Sequence, residues 1–168
     1  TDTIMYGASI TKGEFAYAVM SLVESGKLDL DRSIADYLPK PLPEYEKYAD
    51  LAGDERWRKL TARILLSHRS GFPNFRFFTE KGSDENGKLK FYFEPGSRYA
   101  YSGEGINLLQ FVIEHGIGVD VGELMQRQIF DRFGMKRTAL TWREDFAANL
   151  AIVFSQLALG AEVQFEVV

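Results

Sequence analysis

Between Phe15 and Val23 the apolar side chains Phe15, Val19, Leu22 and Val23 recur at helical spacing, and Gly26 follows where such a helix would stop. A chain carrying this stripe must bury it, so the segment is predicted to be a core helix. The residues ahead of it, Tyr6-Gly7-Ala8-Ser9-Ile10-Thr11-Lys12-Gly13, place Ser9 in the first turn and Lys12 three positions on. On a helix those two side chains share a face. A hydroxyl beside an amine is the arrangement of a serine nucleophile whose proton is drawn off by a desolvated lysine. The plain alternative is a surface serine near a solvated lysine, and S-x-x-K spacing alone does not separate the two. Position adds weight to the first reading, because an ammonium at the mouth of a core helix is costly unless something uses it.

The rest of the chain must supply what covers the helix. At 168 residues, 45% hydrophobic and 26% charged, it is long enough for one domain with a sizeable core, 1–168. The net charge of -4 and the scattered Lys and Arg argue against a nucleic-acid partner. No apolar run reaches the length of a membrane span, and no charged-then-apolar leader precedes Ser9. The first residue is Thr1, so a removed leader stays open, and periplasmic, extracellular and cytoplasmic locations with it. Without cysteine there are no disulfides and no thiolate metal sites.

In chain order, Ser33 to Leu38 is expected to form a short helical turn stopped by Pro39, and Pro39, Pro41 and Pro43 an extended connector. The charge-rich stretch 44–59 reads as a surface excursion. Thr61 caps a short helix, Ala62 to His68, ended by Ser70-Gly71 and Pro73. His68 at its end is expected to serve local carbonyls and the helix dipole rather than catalysis. From Asn74 to Glu94 two aromatic runs flank a Gly- and Asn-bearing loop, the pattern of a hairpin or hairpin-like loop with Asn86-Gly87 available for its turn. Those aromatics could line an acyl pocket or cover a small core.

The second informative stretch is Pro95 to Gly105, leading into Ile106, Leu109, Val112 and Ile113 at helical spacing. That predicts another core-facing helix, ended near His115-Gly116, where His115 complements its C-terminus. Tyr101 falls on the turn before this helix, where a phenol can face a cleft or simply pack. A further helix is expected over about 122–132. Val163, Phe165 and Val167 alternate with Gln164 and Glu166, which reads as a strand in the tail 152–168.

Taken together, Ser9-Ile10-Thr11-Lys12, Gly26-Lys27-Leu28-Asp29-Leu30-Asp31, Leu65-Leu66-Ser67-His68-Arg69-Ser70-Gly71, Pro95-Gly96 with Tyr101-Ser102, and Gly134-Met135-Lys136-Arg137-Thr138 resemble, in order and spacing, the serine β-lactamase and penicillin-binding-protein superfamily. The likeness is closest to its class C β-lactamase, D,D-peptidase and esterase branch. The resemblance implies an α+β, β-lactamase/transpeptidase-like fold. It also implies a serine hydrolase acting through an acyl-enzyme on a small ester, amide or β-lactam. Ser9 would be the nucleophile, Lys12 the amine that lowers its proton affinity, and Tyr101 the general base or proton relay. No metal or cofactor is called for.

Two departures from the family pattern shape the expectation. The second motif, usually Y-x-N, here ends in glycine, so either Ser102, Gly103, Glu104 or Asn107 takes the substrate-facing role or β-lactam recognition is poor. The third motif, K-T-G or H-x-G on a strand, has no match. The fold is therefore expected to be incomplete, mainly the helical region with few antiparallel strands. A second copy or a complementing segment would cover the incomplete sheet. The alternative to an active hydrolase is a silent fragment or binding module that keeps the helical core.

Overall fold

The computed structural model describes residues 3–79, 82–83 and 87–149. They fall into two compact units, Val19–Val121 and the combination of Thr1–Ala18 with Gly122–Val168.

Helix α1 spans Thr11–Glu24 and buries Phe15, Ala18, Val19 and Leu22, one stripe at the spacing read from the sequence. Burying each larger apolar side chain contributes about 1.5–3 kcal/mol, and truncating Leu22 to Ala would cost about 2–5 kcal/mol. The helix stops at Gly26, which adopts φ +71. There the Lys27 amide donates to the Leu22 carbonyl (2.9 Å) and the Gly26 amide to that of Val23 (3.0 Å). This double bond pattern satisfies carbonyls the helix leaves open, and only a residue free to turn left-handed allows it.

In the unit Val19–Val121, Ser33 accepts the Ala35 amide and starts a 3-10 turn over Ile34–Tyr37, as expected. Thr61 likewise accepts the Ile64 amide and caps α2, Ala62–Leu66. The proline connector is interrupted by a 3-10 turn, Leu42–Glu44, that buries Leu42. Stretch 44–59 is mostly exposed, as expected, but it also feeds the core. Its 3-10 turns, Glu46–Leu51 and Glu55–Lys59, bury Tyr48, Leu51 and Trp57. Side chains three apart eclipse in a 3-10 turn, so Tyr48 and Leu51 face one way although the composition reads as polar.

The hairpin exists but turns elsewhere. Strands β1, Phe78–Thr79, and β2, Gly82–Ser83, pair antiparallel with Phe78 opposite Ser83 and Thr79 opposite Gly82, so the chain reverses before Asn86-Gly87. The expected second run, 88–93, is extended and docks on loops instead: the Leu89 amide donates to Asp50 (3.0 Å) and that of Tyr92 to the Gly71 carbonyl (2.9 Å). Phe91 stacks on Phe72 at 4.4 Å, so these aromatics cover core. Helix α3, Gly103–Val112, buries Ile106, Leu108, Leu109 and Val112 and runs into a π-helical turn, Ile113–Ile117. His115 Nδ1 lies 3.1 Å from the Phe111 carbonyl near the end of α3, as anticipated.

In the other unit, the Ile4 amide donates to the Asn149 carbonyl (2.7 Å) and Tyr17 meets Phe133 edge-on at 6.3 Å. Helix α4, Val121–Met125, continues as a π-helical turn, Gln126–Phe130, that buries Ile129 and Phe130. A 3-10 turn, Glu144–Asn149, buries Phe146. The strand expected over 163–167 lies outside the described residues. Among the described residues no helix is long and apolar enough to cross a membrane.

Candidate active site

Ser9 sits on a 3-10 turn, Ala8–Ile10, that leads directly into α1. The Ile10 amide donates to the Gly7 carbonyl (3.1 Å), and the Thr11 amide is shared between the carbonyls of Ala8 and Ser9. The residue before Ser9 is strained: Ala8 adopts φ +45, a left-handed conformation that costs a non-glycine residue about 1–3 kcal/mol. Lys12 Nζ donates to Ser9 Oγ at 3.3 Å, so the pairing read from the sequence is made. Ser9 is exposed and Lys12 half-buried, which corrects the expectation of a buried motif. Lys12 lies one turn before Phe15 on the buried stripe, and its amine reaches the hydroxyl. A cationic donor on Oγ stabilises negative charge there, and the turn's position at the N-terminal end of α1 adds to that field. A cavity of about 430 Å³ in the same unit is walled by Ile4, Ile10, Thr11, Phe130 and Met135 among others, but not by Ser9.

Tyr101 belongs to the other unit and is partly exposed, at 39%. The start of α3, immediately after it, is tightly tied down. Ser102 caps the helix: its hydroxyl accepts the Gly105 amide (2.9 Å) and donates to the Pro73 carbonyl (3.0 Å). Asn74 takes two more amides, Gly103 on its side-chain oxygen (3.0 Å) and Glu104 on its carbonyl (3.2 Å). The orphan donors that open a helix are thus bound by named protein atoms. His68 reaches over from beyond α2. Its ring lies 4.6 Å from that of Tyr101, tilted by 39°, and its Nδ1 is 3.2 Å from the Ser102 amide nitrogen.

This packing corrects several expected roles. Ser102 is fully buried and its hydroxyl is engaged in capping, so it does not present a group to substrate. Glu104 is buried against Arg76, whose main-chain amide (3.0 Å), Nε (3.1 Å) and Nη2 (2.8 Å) all donate to its carboxylate. Arg76 Nη1 donates in turn to the Lys47 carbonyl (3.0 Å). Burial pulls the Arg76 guanidinium down, and its hydrogen bonds and attraction to Glu104 outweigh that and hold it above its usual value. Gly103 is also buried, and its lack of a side chain has a steric cause: a Cβ there would stand 2.7 Å from the Asn74 carbonyl oxygen and 3.0 Å from its Oδ1. Asn107, half-buried one turn further along α3, is the member of the four whose side chain is not accounted for by this packing. His68 does bind backbone, but across to Ser102 rather than within its own helix.

Sequence reasoning missed Asn74 and Arg76. A glutamate in the first turn of an apolar helix signals a buried cation partner, but nothing in the pattern selects Arg76 from the other cations. Tyr48, beside this pair, is pushed well above the usual phenol range, first by burial and then by the Glu104 charge, with Arg76 opposing. Among the described residues no three metal-ligating side chains gather into a site.

The family model for β-lactamase matches residues 1–164. The chain belongs to the β-lactamase family. It is 28% identical to a lovastatin esterase of Penicillium rubens over 89% of this chain and 43% of that protein. It is also 28% identical to penicillin-binding protein 4* of Bacillus subtilis, over 82% of this chain and 31% of that one. The chain therefore spans less than half the length of these curated relatives. Among solved structures, a β-lactamase/D-alanine carboxypeptidase from Yersinia pestis superposes with a TM-score of 0.67 at 24% identity, over 90% of this chain and 44% of that one. The fold is that of β-lactamases, and the described residues carry its helical part with one two-stranded sheet.

Proposed function

We propose that this chain carries the nucleophile and the proton relay of a serine hydrolase that acylates on Ser9. Ser9 Oγ attacks the acyl carbonyl carbon of an ester, amide or β-lactam, its proton passes to the Tyr101 phenolate, and the carbonyl electron pair moves onto oxygen. When that tetrahedral species collapses, the alcohol or amine leaves with the proton from Tyr101 and Ser9 holds the acyl group as an ester. Water, deprotonated by Tyr101, then attacks the ester and returns Ser9. Lys12 as a donor to Oγ stabilises the developing alkoxide, and the base role falls to Tyr101. The observation that carries this reading is the 3.3 Å contact between Lys12 Nζ and Ser9 Oγ on the turn entering α1.

A second reading is a silent binding module that keeps the helical core. Within residues 1–168 the K-T-G or H-x-G strand has no match, and His115-Gly116-Ile117-Gly118 forms a π-helical turn and its cap.

Incubation with a fluorogenic ester and with a labelled penicillin, followed by intact mass, tests both. An adduct of one acyl group is expected, absent in Ser9→Ala and formed about a hundredfold more slowly in Tyr101→Phe. A folded wild-type sample that acquires no adduct from either reagent overturns the hydrolase reading in favour of the silent one.

A further inference from the structure

We infer that His68 is the positioning residue for the Tyr101 phenol, holding the three residues 100, 101 and 102 through three different parts of itself. The inference rests on the reading of Tyr101 as the proton relay. The His68 carbonyl accepts the Ala100 amide at 2.9 Å, its ring packs on Tyr101 at 4.6 Å, and its Nδ1 meets the Ser102 amide nitrogen at 3.2 Å. To make all three contacts the His68 backbone turns left-handed, φ +55, an unfavourable conformation for a residue with a side chain. Such strain persists where surrounding contacts impose it.

Nδ1 lies 3.2 Å from both the amide nitrogen and the carbonyl oxygen of Ser102. The Ser102 amide is buried and needs an acceptor, and Nδ1 stands against it. The Tyr101 main chain is fixed from both sides, and its ring is restrained on one face, while the phenol remains partly exposed. A relay needs that fixity, because displacing a reacting oxygen by about 1 Å can cost about a hundredfold in rate.

Two variants divide the contacts. His68→Asn keeps a side-chain acceptor for the Ser102 amide and tolerates the left-handed backbone, whereas His68→Phe keeps a ring and loses the acceptor. With a chromogenic ester as probe, His68→Phe is expected to lower the acylation rate constant at least about tenfold with the dissociation constant of the non-covalent complex unchanged. His68→Asn, which keeps the acceptor but not the ring, should lose clearly less than His68→Phe, and His68→Phe should have no further effect on a Tyr101→Phe background. Equal losses in His68→Asn and His68→Phe, or a full loss on the Tyr101→Phe background, would overturn the inference. If wild-type protein takes up no acyl group, the hydrolase reading fails on its own, and carbon-13 spectra of tyrosine-labelled protein decide the positioning. The Tyr101 ring signal should then broaden in His68→Phe and keep its wild-type linewidth in His68→Asn; an unchanged linewidth in His68→Phe refutes it.

Discussion

Replacing Arg76 by methionine removes the cation that Glu104 is buried against. The side chains of the pair are only 13% and 9% exposed, so water cannot take over for the lost partner. Deleting one member of such a pair costs about 3–5 kcal/mol. Here the lower end is expected, because the main-chain amide of residue 76 stays 3.0 Å from the Glu104 carboxylate and still donates to it. At about 2–4 °C per kcal/mol for a chain of this size, the melting temperature should fall by roughly 6–12 °C in a thermal unfolding scan. The double variant Arg76→Met, Glu104→Leu removes both charges and should recover part of the lost stability, the residue 76 amide being left without its carboxylate acceptor. A single-variant cost below about 1 kcal/mol, typical of exposed pairs, or additive losses in the double variant would refute the argument.

Three further outcomes follow from the same geometry. Gly103→Asn, which restores the family's Y-x-N, should destabilise the fold by about 1–3 kcal/mol and fail to speed acylation, because its Cβ meets the Asn74 carbonyl; urea unfolding and the adduct assay check both. Tyr48→Phe should leave stability unchanged or raise it by about 1 kcal/mol in the same unfolding assay, since the buried Tyr48 hydroxyl has no hydrogen-bond partner among the described residues. Arg56 hydrogen bonding holds the Asp54 carboxyl below its usual 3.8. That contribution is present above this value and fades as pH falls below it through the folded one. Asp54→Asn should therefore flatten that part of the stability-against-pH curve.

Legibility divides along the range of the interactions. The stripe at 15, 19 and 22, the stop at Gly26, the turn from Ser33 and the cap at Thr61 arise within one or two helical turns, and local spacing was enough to read them. The Ser9–Lys12 contact is equally local. The buried residues of the 44–59 stretch were missed because 3-10 turns, not composition, send Tyr48 and Leu51 inward. The hairpin turn was misplaced because its register is chosen by pairing rather than by the Asn-Gly signal.

By itself the sequence determined the family, the helix that carries Ser9 and the three candidate reacting groups, because motif order and periodicity are properties of the chain. Only the tertiary structure decided that Glu104 and Ser102 are committed to holding α3, that Asn74 excludes a side chain at 103, and that His68 holds the turn carrying Tyr101. Each of those outcomes depends on atoms about 28 to 34 positions apart meeting within hydrogen-bond distance, and no local pattern encodes which distant partner arrives.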